Sequence, residues 1–289
     1  MKKILSSVLV ASLLVTSGFA TNSKTISSDA LKVAKKDAKS TSQMSVVQEA
    51  VEAVILTQKV LVDIAHNDKE NAKKDIEKAI GKLEVVLAKK DAPVMLPIDY
   101  SVNAVEFQAD VSTIKKTIDA VKDLLDDGKV QAARALLNTL QSEIDISTVN
   151  LPLASYPQAL KLAASYLHDN KLKEAQDVLE MALSTLVHTT VVIPIPLITA
   201  EALIADAQKI AKKDKEQALK HLELAKKELK KAELLGYTSS SDVTYKILDD
   251  AIEKVEKEIK GKNKAEKLFE ELINKFKSFK DNATTSSSK

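Results

Sequence analysis

The chain has 289 residues, of which 45% are apolar and only 3% aromatic, with 5 Gly, 6 Pro, no Trp and no Cys. Without Cys there is neither a disulfide framework nor a thiol nucleophile, so packed side chains have to hold the fold. The 43 basic residues face 41 acidic ones, which lacks the basic surplus needed to displace counterions from phosphates and argues against a nucleic-acid partner.

Residues 1–20 start Met1-Lys2-Lys3, run without charge from Ile4 to Val15 and end Gly18-Phe19-Ala20. A basic start, a short apolar stretch and a small-x-small end read as an export signal cut after Ala20. A membrane anchor would need about 20 apolar residues. Cleavage removes Lys2 and Lys3 and no acid, leaving 41 residues of each sign. The expected location is the periplasm, with no stable membrane insertion after cleavage.

Residues 21–42, rich in Ser, Thr and Lys, read as a flexible leader, and residues 281–289 as a disordered tail. Between them the composition favours helix. Ile76, Ile80, Leu83 and Leu87 step by four, three and four, as do Ile114, Ile118, Val121 and Leu125, and again Leu248, Ile252, Val255 and Ile259. Each set is one stripe along a helix. No sustained period-two alternation stands out, so no substantial sheet is expected.

Four places begin with a favoured N-cap followed by Lys: Asp68-Lys69, Gly128-Lys129, Asn170-Lys171 and Asp214-Lys215. Each follows a helical stretch directly, which predicts four helical hairpins. Their spacings of 60, 42 and 44 residues are too uneven for a solenoid. Three connections carry both Pro and aliphatic residues: 91–99, 144–157 and 188–197. Proline ends the helices there, and the aliphatic content tucks the segments against the bundle. A polar break at 236–241 precedes a C-terminal helical segment, 241–280. The expected fold is all-α, a compact bundle of about four to five antiparallel hairpins joined by extended Pro-containing linkers, with its main domain at 43–240.

Asn150-Leu-Pro-Leu-Ala-Ser-Tyr-Pro157, Val192-Ile-Pro-Ile-Pro-Leu197 with Ala200-Glu-Ala-Leu203, and Ala232-Glu-Leu-Leu-Gly-Tyr237 resemble the YfdX family. Gly81-Lys-Leu-Glu-Val-Val-Leu-Ala88 and Asp127-Gly-Lys-Val-Gln-Ala132 look like it too. The resemblance covers roughly residues 45–240 and weakens beyond. It implies a bacterial, exported, helical protein that oligomerises and is associated with envelope stress, including acid and drugs. It implies no catalytic residue.

The residues themselves point the same way. Gly81, Gly128, Gly236 and Gly261 are too far apart to cradle a phosphate, and no G-x-S-x-G occurs. His66, His168, His188 and His221 form no H-x-x-x-H pair, so no metal site and no cofactor is expected. Asp126-Asp127 and Asp249-Asp250 are helix neighbours that point apart, which suits solvated carboxylates rather than a catalytic pair.

His66 and His168 each lie two residues before a hairpin turn. Imidazolium is favoured at a helix C-terminus, which makes them candidate pH-responsive residues, against the plainer reading of polar helix ends. Tyr100, Tyr156 and Tyr237 sit at the edges of the breaks. With Ile193, Pro194, Ile195 and Pro196 they are the candidate walls of a shallow apolar groove, against the plainer reading that this segment plugs the bundle. The expected function is therefore non-enzymatic: binding other proteins in a chaperone-like way in the envelope. Capture of small amphipathic molecules and a structural homo-oligomeric scaffold are the alternatives.

Overall fold

The structure is a computed structural model that describes residues 22–239, 243–262, 264–283 and 285–288. The expected export signal, residues 1–20, lies outside them. Among the described residues are eleven helices and a small sheet. No described helix is long and apolar enough to cross a membrane.

The chain divides into two compact units. The first comprises Val102–Asp145, Val191–Thr285 and the described residues up to Ala38; the second comprises Lys39–Ser101, Ile146–Thr190 and residues 286–288. The elements in chain order are α1 (Ser23–Ser45), α2 (Gln48–Ala65), α3 (Lys69–Leu87), β1 (Met95–Glu106), α4 (Val111–Asp126), α5 (Val130–Leu137), β2 (Ser142–Pro152) and α6 (Tyr156–His168). They continue with α7 (Leu172–Ser184), β3 (Val187–Pro194), α8 (Ile195–Ile210), α9 (Lys215–Leu234), α10 (Val243–Lys260), α11 (Glu266–Ala283) and β4 (Thr285–Ser288).

The predicted hairpins form, with one correction at their turns. Asp68 and Asp214 are true N-caps, accepting from Asn71 N–H at 3.1 Å and Gln217 N–H at 2.9 Å. Gly128 and Asn170 instead close the preceding helix, at φ 73° and 59°, and Lys129 and Lys171 stand at the caps of α5 and α7. Three of the turns share one geometry. The N–H of Asp68, Lys129 and Lys171 reaches the carbonyl five residues back, on Asp63, Leu124 and Tyr166, at 2.8 Å each. That bond needs a left-handed residue just before it, supplied by Asn67, Gly128 and Asn170. Counted from the observed caps, the fourth residue is always alanine. Ala72, Ala133, Ala175 and Ala218 are all fully buried, so a methyl group there lets paired helices approach closely.

The chain is mostly helical, as expected, but a small sheet accompanies the helices. Each of the three Pro-containing connections contains residues of a strand, in the order β1-β2-β3, with the short β4 next to β3. Their prolines occupy places a strand tolerates. Pro97 lies in β1, at the end of that order, while Pro152 closes β2 and Pro194 closes β3. A short alternation was present in Ser142-Glu-Ile-Asp-Ile146, where Ser142, Ile144 and Ile146 are buried and Glu143 and Asp145 only partly so. Residues 21–42, expected to be a flexible leader, mostly enter α1. Ile26, Ala30, Ala34, Ala38 and Ser42 make a buried stripe at every fourth position. Alanine gives such a stripe little hydrophobic contrast in sequence. Residues from the expected tail, 285–288, form β4.

The second unit is a ring of four helices. α2 packs on α3 and α7, and α6 packs on the same two. Their core includes Val60, Ile76, Leu83, Tyr156, Leu160 and Leu179, closed by Leu96 and Leu151 from the strands. Ion pairs brace α2 against α3: Asp75 meets both Lys59 and Lys78, the latter at 2.7 Å, and Glu52 meets Lys82. In the first unit α8 is buried on nearly every side, eleven of its 16 residues being interior. α9 and α11 pack against it, and Phe269, Leu272, Phe276 and Phe279 contribute the buried face of α11.

Candidate functional site

The two predicted histidines sit at helix ends, as their spacing requires. His66 is the C-cap of α2 and is exposed. His168 ends α6, also exposed, with Nε2 3.7 Å from Glu77 Oε1.

The predicted groove residues divide between the two units. Tyr100 and Tyr156 belong to the second unit, and Ile193, Pro194, Ile195, Pro196 and Tyr237 to the first. Tyr100 is half-buried in β1. Tyr156 is wholly enclosed at the start of α6, and burial pushes its phenol up to about 12. Ile193 to Pro196 are interior side chains where β3 passes into α8. Tyr237 is half-buried, its hydroxyl accepting from Ser142 N–H at 2.8 Å and donating to Glu143 Oε2 at 2.7 Å. It ties the end of α9 to β2, and burial raises its pKa far above the ordinary phenol range. A small amphipathic ligand therefore finds no open wall in Ile193–Pro196.

The histidine that stands out structurally is His221, which the sequence did not single out. It lies on α9 among Ala218, Leu222, Ala225 and Leu229, all buried, and is itself fully buried. The available signal was its position inside that apolar stripe, where an imidazole needs partners. Gln217, one turn earlier, places Nε2 2.7 Å from His221 Nε2. The amide N–H donates there, which leaves the ring proton on Nδ1. Nδ1 faces Asp206 on α8, 3.0 Å from Oδ2 though off the line of its N–H. The string begins at the cap of α9, where Asp214 holds Gln217 N–H at 2.9 Å.

The electrostatics of this string are opposed. Burial disfavours the imidazolium and lowers the His221 pKa, while the charge of Asp206 pulls it up; Lys220 lowers it and Asp214 raises it. Burial prevails, because a charged ring in that interior loses its hydration. Both ring nitrogens face protein groups, Gln217 at Nε2 and Asp206 at Nδ1. On the same helix α8, Glu201 forms a nearly buried ion pair with Lys280 of α11. Among the described residues no group of three or more His, Cys, Asp or Glu is placed to hold a metal ion.

In the second unit the exposed aliphatic side chains draw notice. Ile55 and Val62 on α2, Val85 on α3, Leu162 on α6 and Met181 on α7 are between 47% and 67% exposed. Each of the four helices presents at least one.

Residues 53–192 match the protein family described as YfdX protein. Among solved structures, a crystal form of Salmonella Typhi YfdX is similar at 15% identity over 50% of this chain and 90% of that one, with a TM-score of 0.36. No curated protein matches the chain.

Proposed function

Residues 53–192 make this chain a member of the YfdX family, and on that premise we propose that it is an exported envelope protein that binds other proteins in a chaperone-like way under acid stress. The observation that carries the reading is the set of exposed aliphatics on the second unit. Ile55, Val62, Val85, Leu162 and Met181 leave apolar contact points on all four of its helices. Such points suit weak, repeated contact with exposed apolar segments of an unfolded chain.

His221 supports the acid limb. A buried neutral histidine makes the first unit less stable as pH falls, so apolar surface becomes more accessible under the conditions that unfold clients. The reading assigns no catalytic residue and no cofactor, and places the chain in the periplasm, where it acts as a homo-oligomer.

The test is light scattering from an acid-unfolded client protein, with and without this chain, between about pH 4 and 7. Suppression of aggregation that weakens when Ile55, Val62 and Met181 are replaced by Ser supports the reading. No suppression at any ratio of the two proteins ends it.

A further inference from the structure

With no Cys in the chain, its 4 Met are the only sulfur groups an oxidant can reach. Met1 falls in the expected export signal. Met44, Met95 and Met181 all belong to the second unit. None of them enters that unit's core, whose buried residues are Ala, Val, Ile, Leu and Tyr156. Two of the three stand in solvent. Met44 is 76% exposed in the last turn of α1, and Met181 is 67% exposed in the last turn of α7. Met95, at the start of β1 and next to the fully buried Leu96, is half-buried. An apolar side chain stabilises a fold in proportion to the surface it removes from water, so Met44 and Met181 contribute little. The backbone around them is tied without the thioethers: the Ser45 hydroxyl donates to the Ser42 carbonyl and the Ser184 hydroxyl to the Met181 carbonyl, each at 2.7 Å.

We propose that Met44 and Met181 are reversible oxidation sites for small hydroperoxides, at which the chain takes up oxidant without losing its fold. A sulfur lone pair attacks one peroxide oxygen, and the S–O bond forms as the O–O bond breaks. Sulfur is oxidised by two electrons to the sulfoxide; the other oxygen leaves as hydroxide, gains the proton and departs as water. The step needs access to the sulfur and no catalytic group, and access is what separates these two residues from Met95. A sulfoxide is polar and disrupts a core, but at Met44 and Met181 it stays hydrated. Reductases return methionine sulfoxide to the thioether, and they need the same exposure. A cysteine could run on to irreversible acids; the chain has none.

The experiment treats the full chain with hydrogen peroxide at neutral pH and follows each methionine in time by peptide mass spectrometry. Met44 and Met181 are expected to gain one oxygen each at rates within about threefold of one another, and Met95 to react roughly tenfold more slowly. The urea midpoint and the far-ultraviolet circular dichroism should keep their untreated values once both sites are converted. Methionine sulfoxide reductases A and B together should restore the starting mass. Met44→Leu and Met181→Leu should each remove one oxygen and leave the rates at the other sites unchanged. Met95 reacting as fast as the other two overturns the assignment by access. A fall in the urea midpoint that tracks oxidation of Met44 and Met181, and that is absent when both are Leu, overturns the claim that the fold is spared. A product that the reductases leave unchanged overturns reversibility.

Discussion

Replacing His221 with Gln should flatten the acid limb of stability. The wild-type ring is wholly buried, and its pKa in the folded chain lies below the ordinary 6.5. Between those two values the unfolded chain binds a proton that the folded chain does not, so stability falls as pH falls from about 6.5. One proton sets a ceiling of about 1.4 kcal/mol per pH unit on this slope. Asp206, 3.0 Å away, decides where the loss stops, since its charge pulls the folded pKa upward. Asp206→Asn should therefore carry the loss to lower pH, whereas His221→Gln should remove it. Glu228 and Glu256, raised by burial, run with the opposite sign, so the readout is the difference between wild type and variant. Urea unfolding at intervals between about pH 7.5 and 5 measures it, with hydrogen exchange on α8 and α9 to localise it. Equal pH slopes in the wild type and His221→Gln would falsify the argument.

Asp75→Asn should cost roughly 1–3 kcal/mol at neutral pH, because an almost fully buried carboxylate that serves two lysines is lost. The deficit should shrink below pH 3.8, since hydrogen bonds from Lys59 and Lys78 lower the Asp75 pKa in the fold and the wild type loses that contribution as the group protonates; urea midpoints at neutral and acid pH report it. Lys280→Met, which strands Glu201 in the interior, should destabilise the first unit by about 3–5 kcal/mol, and pairing it with Glu201→Leu should recover much of the loss, as thermal unfolding would record. Two glycines should respond with opposite signs in the same assay. Gly81→Ala, inside α3 with open space around the new methyl, should stabilise by about 0.5–1 kcal/mol, and Gly128→Ala, at φ +73° with equally open space, should destabilise by about 1 kcal/mol from backbone strain alone.

Local physics made much of this chain legible in one dimension. Stripes such as Ile76, Ile80, Leu83 and Leu87 announced helices because helical period is a property of neighbours, and Asp68, Gly128, Asn170 and Asp214 marked turns because a cap or a left-handed residue acts within one helical turn. The resemblance in the irregular connections pointed to the family that residues 53–192 match.

What tertiary structure alone decided are the features that need a distant partner. Segments around Pro97, Pro152 and Pro194 became strands rather than linkers, since a strand exists only when its backbone groups find a ladder tens of residues away. The alanines of α1 proved to be a packed face for a similar reason: a methyl group is too faint a signal until something covers it. His221 drew no attention in sequence, where His66 and His168 did. Its chemistry came from enclosure beside Asp206 on another helix, and burial is set by the whole fold rather than by any window of residues.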